Sequence, residues 1–367
     1  MHVLDAISLR PVPAAGLYMA VTRRCPLACA HCSTNSLMTS DEFDEDLFVR
    51  VARSFTTEDR PRVLFLTGGE ALLRPRLVQE LIRLAHGVDT KVYLISGMFF
   101  ARQSTVPPAI RAAIAGVDHF SASLDVFHEA QVSRADVLRA LHEVRAMGKD
   151  ISIQVTGTDA ADPYLAEVTS DIRRSFDDRV PAIVTQLSSV GRAKDWLPAA
   201  ERPHHVSLEF APAPCVAATW PVVSFDGTVV ACCNQSVVDG PPPAHLRLGH
   251  AASDGWATIR DRFLTSPMVR GIRVFGPEYL AATYSAGTVA CDGYCSTCKR
   301  LSDDPAIAAG LEQTMARPTM ATIEKLVATM QQGEWLGSYV VPEYIYMAKL
   351  GFEQQTAEPT APALVAV

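Results

Sequence analysis

Long apolar runs are missing from this chain: no uninterrupted stretch approaches the ~20 residues that a membrane span needs. The first sixteen residues, MHVLDAISLRPVPAAG, lack the basic-then-apolar order of a secretory signal. Dense Lys/Arg stripes are also absent. With 33 basic against 40 acidic residues and a formal net charge of −7, the chain offers no electrostatic footprint for nucleic acid, and it has no acidic tail. An even cysteine count is lacking too, since there are nine. The expected location is cytoplasmic, away from membranes, where thiols stay reduced. An odd set of thiols there points to metal ligands or reactive groups rather than to disulfides.

What is present suffices for a large core. Hydrophobic residues make up 48% of 367 positions and charged residues 20%, room for one large α/β domain and a smaller module. Between residues 17 and 190 one pattern repeats: a short apolar run, a turn, then an amphipathic stretch. The apolar runs are LYMAVT (17–22), RVLFLT (62–67), KVYLIS (91–96), VDHFSASL (117–124), ISIQVT (151–156) and AIVTQL (182–187). Between them, 43–55, 74–86 and 136–147 place Leu and Val at i, i+3 and i+4, the helical period. Such alternation predicts a parallel sheet with helical crossovers. Six units are too few for a closed eight-stranded barrel, so the expected fold is α/β, a partial (β/α)6 TIM-like barrel. Ligands should collect at the carboxyl ends of its strands.

Near residue 195 the pattern stops at proline-rich WLPAAERPHH and FAPAPC. WPVVSFDGTVVACCN (220–234) reads as two short strands about Asp226-Gly227, a hairpin signal. A helix-like GWATIRDRF (255–263), a cysteine cluster CDGYCSTC (291–298) and helical periodicity over 304–333 follow. Expected units are therefore 1–195, 196–303, a helical segment 304–353 and a flexible tail 354–367.

Cys25, Cys29 and Cys32 stand as C-x3-C-x2-C directly after the first strand. Three thiolates in one loop can hold three corners of a 4Fe-4S cube and leave one iron open. A zinc site borrowing His31 or a distant residue, or simple buried cysteines, are the plainer alternatives. The motif closely resembles that of radical S-adenosylmethionine (radical SAM) enzymes, and the resemblance spans roughly residues 17–300. It implies that S-adenosylmethionine chelates the open iron and is cleaved reductively to a 5′-deoxyadenosyl radical, which abstracts a substrate hydrogen. An external electron donor such as flavodoxin or ferredoxin is then implied. His31 stands where the family usually has a larger aromatic beside the adenine.

Further stretches carry the same resemblance. TGGE (67–70) ends the second run, and the family role implied for Gly68, Gly69 and Glu70 is to hold the methionine amino group. In SASLD (121–125), Ser123 is assigned by resemblance to the cofactor, with Asp125 facing substrate or supporting the loop. Arg134 falls where an arginine often meets the methionine carboxylate. SSVGRA (188–193) resembles the backbone contact to adenine near Gly191, and Ser96-Gly97 ends the third run over the cofactor. Asp125, His128 and Glu129 are candidate bases near that strand end; each also suits a solvated loop position.

Six cysteines remain: Cys215, Cys232, Cys233, Cys291, Cys295 and Cys298. Together they resemble the auxiliary-cluster extension called SPASM, or its shorter form Twitch. One auxiliary 4Fe-4S cluster held by Cys215, Cys232, Cys295 and Cys298 is the expected count. Cys233 in place of Cys232, Cys291 in place of one of the C-x2-C pair, a set without Cys215, and a structural zinc site stay open. Adjacent thiols on a strand point to opposite faces, so Cys232 and Cys233 should serve different surroundings.

The resemblance implies an oxidoreductase in natural-product biosynthesis, most often a peptide-maturing enzyme that oxidises a ribosomally made peptide by cross-linking or dehydrogenation, with the auxiliary cluster accepting an electron. Only about sixteen residues precede the first strand, too few for a leader-binding module, so leader recognition would fall to another protein or surface. A dehydrogenase or epimerase of a sugar or aminocyclitol is the alternative, with Cys233 or Cys291 as hydrogen donor in an epimerase. A non-catalytic metal-binding protein is the remaining one.

Overall fold

In the computed structural model, residues 1–197, 211–287 and 293–352 are described. Each of the six apolar runs forms a strand: β1 Gly16–Ala20, β2 Val63–Thr67, β3 Lys91–Ser96, β4 His119–Ser123, β5 Asp150–Gly157 and β6 Ala182–Gln186. Neighbours pair in parallel and in chain order, with helices between them, which makes the partial barrel of an α/β fold. Strands buried on both faces need apolar residues at successive positions, and that is why they read as unbroken runs.

The two faces nevertheless differ. Leu64 and Leu66 of β2, and Val92 and Leu94 of β3, pack outward with the helices. Phe65 and Tyr93 point into the barrel with Ala6, Ile183 and Trp220. Strand register aligns Tyr18, Phe65, Tyr93 and His119 as one row around the inside. Their rings touch in sequence: Tyr18–Phe65 at 4.9 Å, Phe65–Tyr93 at 4.5 Å and Tyr93–His119 at 4.5 Å between centroids. Trp220 closes this aromatic belt over Gly16, where any Cβ would collide with the indole.

The second region joins the same sheet. β7 Val222–Val223 pairs with β1 in parallel; β8 Thr228–Val230 and β9 Arg247–His250 follow antiparallel. The hairpin about Asp226-Gly227 thus extends the barrel sheet, and the expected boundary at 195/196 does not interrupt it.

The helical segment expected over 304–333 is two helices, Pro305–Met315 and Thr319–Tyr339, followed by a 3-10 stretch, Pro342–Lys349. This last piece covers the outer edge of β6, with Val341 N–H donating to the Val184 carbonyl at 2.8 Å. Covering an edge strand removes an unpaired row of backbone groups. A short helix Val3–Ser8 packs beside it and, with Val340 and Ala348, fills the gap of the open barrel. The tail 354–367 lies outside the described residues, and no helix among the described ones is long and apolar enough to cross a membrane.

Inside the barrel a polar ladder links β3, β4 and β5. Ser152 Oγ meets His119 Nε2 at 2.8 Å, Tyr93 OH at 3.0 Å and Ser121 Oγ at 3.0 Å. His119 Nδ1 faces the Met1 carbonyl at 2.9 Å. Burial pushes the His119 pKa down to about 4 from its ordinary 6.5. The native state therefore resists protonation between those values while the unfolded chain accepts it. Stability is complete above pH 6.5 and falls as pH drops toward 4, by on the order of 3 kcal/mol from this residue. The urea midpoint should fall more steeply across that window in the unmodified protein than in His119→Gln. Parallel pH curves for the two would contradict the assignment.

Candidate active site and second thiol site

The cysteine loop leaves β1 and is held by the loops that follow β2, β4 and β6. The turn after β2 meets it first: Gly69 N–H donates to the Thr22 carbonyl at 2.7 Å and Glu70 N–H to the Arg24 carbonyl at 2.9 Å. A Cβ on Gly68 would stand 2.5 Å from the Thr22 carbonyl oxygen, and one on Gly69 at 2.5 Å from that of Arg24. Both glycines let the cysteine loop itself come close, a use for them that the motif alone did not disclose.

From the far side, Arg192 Nε donates to the Cys29 carbonyl at 2.9 Å, its Nη1 to Ser36 at 3.0 Å, and Trp196 Nε1 to Ala30 at 2.9 Å. Gly191, with φ +56°, lies so close to the Cys32 carbonyl that no side chain fits. The loop after β6 thus clamps the loop after β1 across the mouth of the barrel.

Cys25 and Cys29 are buried and Cys32 half-buried, and all three are free thiols. Gln131 supports the loop, accepting from Ala28 N–H at 3.0 Å and lying 3.6 Å from the Cys29 sulfur. Burial, with the charges of Glu70, Cys32 and Cys29 adding to it, pushes the Cys25 pKa up to about 12. One loop thus presents three sulfurs, two of them buried. That donor set fits an iron–sulfur cluster.

Around the loop the expected cofactor residues gather. Glu70 is buried: Oε1 accepts from Leu72 N–H at 3.0 Å, and Oε2 from Gly97 N–H at 2.9 Å and Ser96 Oγ at 3.0 Å. Burial raises its pKa to about 7. Oε1 keeps capacity for one more donor, such as an ammonium. Ser123 is half-buried at the end of β4.

Asp125 caps the short helix Val126–Glu129, its Oδ1 accepting from Phe127 and His128 N–H at 3.0 Å each. Its Oδ2 lies 2.8 Å from His128 Nδ1 and 3.3 Å from His31 Nε2. Burial alone would raise the Asp125 pKa, but the two imidazoles hold it well below the usual carboxylate range. A carboxylate so engaged is a weak proton acceptor. The His31 ring stacks on Phe127 at 4.5 Å between centroids. Asp125 and His128 were placed at one strand end from the sequence, but that His31, from the cysteine loop, joins them was not foreseeable.

Arg134, expected at the methionine carboxylate, is engaged elsewhere. Its guanidinium meets Glu129 at 2.6 Å, Glu167 at 2.8 Å and Asp171 at 2.5 Å, an ion-pair network that spans three helices. Three carboxylates leave it little to offer a fourth. Glu129 also accepts from Tyr164 OH at 2.6 Å, which ties this candidate base to the same network.

The second thiol group forms where the hairpin meets helix Tyr294–Arg300. Cys295 and Cys298, three apart on that helix, share a face. Asn234 donates its N–H to the Cys232 sulfur at 3.3 Å and its Nδ2 to the Cys295 sulfur at 3.4 Å, which ties hairpin to helix. Burial raises the pKa of Cys215, Cys232 and Cys298, and each is raised further by the charge of others in the set. Cys233 turns the other way and meets Arg10 Nη2 at 3.0 Å. The two adjacent thiols do serve different surroundings, although both follow β8 rather than lying within it. Cys291 lies outside the described residues.

Comparison with known proteins accords with this geometry. Residues 19–160 match the model of the Radical SAM superfamily. No curated protein matches the chain. Among solved structures the chain is similar to Streptococcus suis SuiB bound to S-adenosylmethionine, at 14% identity and a TM-score of 0.52, over 81% of this chain and 76% of that one. It is likewise similar to SuiB bound to precursor peptide SuiA, at 14% identity and a TM-score of 0.51, over 81% and 74%. At such identity the likeness is one of fold.

Proposed function

We propose that this chain, whose residues 19–160 match the Radical SAM superfamily, is a radical SAM enzyme that carries out an oxidative modification of a ribosomally made peptide, with a second iron–sulfur cluster as electron acceptor. Bound at the first site, a 4Fe-4S cluster and S-adenosylmethionine supply a radical able to remove a substrate hydrogen atom. Cys25, Cys29 and Cys32 would hold that cluster. Gly68, Gly69, Glu70, Ser96, Ser123, Gly191 and His31 would surround S-adenosylmethionine, with Glu70 accepting from its ammonium. Asp125 would position His31 and His128, and the aromatic barrel would exclude water from the reacting carbon.

The observation that carries the proposal is the second thiol set. Cys215, Cys232, Cys295 and Cys298 draw on the hairpin, on the helix and on the strand-free segment before β7, and so could ligate every iron of a cluster. A closed cluster has no place for a substrate and suits electron transfer. The solved relative in complex with a precursor peptide supports a peptide as substrate class.

A second reading rests on Cys233. Its thiol borders the barrel interior rather than the second site, where it could return a hydrogen atom to a substrate radical and so make the enzyme an epimerase. Reaction in heavy water separates the two. Oxidation gives a product two hydrogens lighter without label, and epimerisation gives deuterium at the substrate carbon that Cys233→Ala abolishes. If reduction with dithionite yields no 5′-deoxyadenosine from S-adenosylmethionine, both readings fail.

A further inference from the structure

Just before β1 the chain carries Arg10 into the barrel. The residue is 4% exposed. Its Nη2 donates to the Ala217 carbonyl at 3.3 Å and to the Cys233 sulfur at 3.0 Å. The guanidinium carbon lies 4.8 Å from the Trp220 ring and 5.4 Å from that of Tyr18. Nη1 is buried and makes no hydrogen bond, and among the described residues no carboxylate pairs with the side chain. A lone buried cation is costly, and ring faces compensate it only in part.

Arg10 also lines a cavity of about 230 Å³ inside the barrel, walled by Phe65, Tyr93, Trp220, Cys233 and Gln154. Gln154 stands level with Ser123 in the strand register, at the end of the barrel where the cofactor loops begin. The cavity therefore runs from an unpaired cation toward the strand ends that carry the cofactor loops, with Ile95 next to Ser96 on its wall. Its walls are otherwise aromatic or apolar, with no second arginine or lysine among them. One positive charge calls for one negative charge, and the planar guanidinium fork matches a planar carboxylate.

We infer that the substrate enters the barrel with a carboxylate that pairs with Arg10, so that this residue sets substrate choice and orientation. The inference rests on the barrel interior being the substrate chamber of the proposed reaction. The carboxylate belongs either to a free small acid or to a peptide's acidic side chain.

Calorimetric titration of the full-length protein with benzoate and with isosteric, neutral benzamide tests it without any reaction. Benzoate should bind at least about tenfold more tightly, the worth of a charged hydrogen bond, and Arg10→Gln should erase that preference while Arg10→Lys keeps part of it. Equal binding of the two probes, or a preference that survives in Arg10→Gln, overturns the inference. Should Arg10→Gln not fold, Ile7→Phe serves in its place: it fills the cavity and leaves Arg10 intact, and benzoate binding unchanged by it overturns the location. N-acetylglutamic acid α-amide against its glutamine counterpart tells the sources apart. A stronger response than benzoate assigns the carboxylate to a peptide side chain, a weaker one to a free acid. In the same preparation, 5′-deoxyadenosine formed from S-adenosylmethionine without benzoate preference shows that the carboxylate inference fails while the radical reading stands.

Discussion

Alanine at Cys25, Cys29 or Cys32 should abolish 5′-deoxyadenosine formation and lower the iron content of the reconstituted protein by about four per chain. The effect should be the largest of any single substitution. A residue that merely supports a metal ligand is worth roughly 10–100-fold in metal affinity, and each of these thiols is proposed as a ligand itself. Among the described residues, Cys233 is turned to Arg10, and His31 and His128 each commit one ring nitrogen to Asp125. Loss of iron should leave the fold intact, because the loop is also fixed by backbone bonds from Gly69 and Glu70 and by Arg192 and Trp196. Electron paramagnetic resonance of the reduced protein, iron analysis and product chromatography check the three parts. A variant that keeps its deoxyadenosine yield would remove that cysteine from the ligand set.

The cysteine loop was legible because its information is local: three residue types at fixed spacing after an apolar run. The six strands were legible for a similar reason, since double-sided burial writes itself as consecutive Val, Leu, Ile and Phe. What holds the loop was not legible. Arg192 reaches Cys29 across 163 positions and Trp196 reaches Ala30 across 166, and nothing near either residue marks it as a clamp. The partners of Arg134 were hidden for the same reason, because Glu167 and Asp171 arrive from another helix to meet its charge. Gly68 and Gly69 were read through the family role alone, and the motif could not say that the cysteine loop packs directly on them. Closure of the barrel was also hidden. Helix Val3–Ser8 and the 3-10 stretch Pro342–Lys349 sit at opposite ends of the chain, and only in the fold do they pack together with Ile183 of β6.

Alanine at Cys232 or Cys298 should lower iron from about eight to about four per chain while 5′-deoxyadenosine still forms. In such a variant the radical is made and cannot be resolved, so cofactor cleavage should continue without the product that is two hydrogens lighter. Zinc is the competing occupant. Tetrahedral zinc thiolates place their sulfurs about 3.8 Å apart, given zinc–sulfur bonds near 2.3 Å. Among the described residues, the grouping of three ligand atoms that closes within 4.8 Å is His31, Asp125 and His128. The second thiol set forms no such grouping among the described residues, and iron and zinc analysis decides between the two occupants. Cys233→Ala should leave iron near eight, because that thiol faces Arg10 and the barrel. If Cys233→Ala loses four irons while Cys232→Ala does not, the two adjacent thiols exchange roles. One zinc and about four irons per chain in the unmodified protein would make the second site structural. The electron left after hydrogen abstraction would then have no acceptor in this chain, and return of a hydrogen atom from Cys233 would become the better account of turnover.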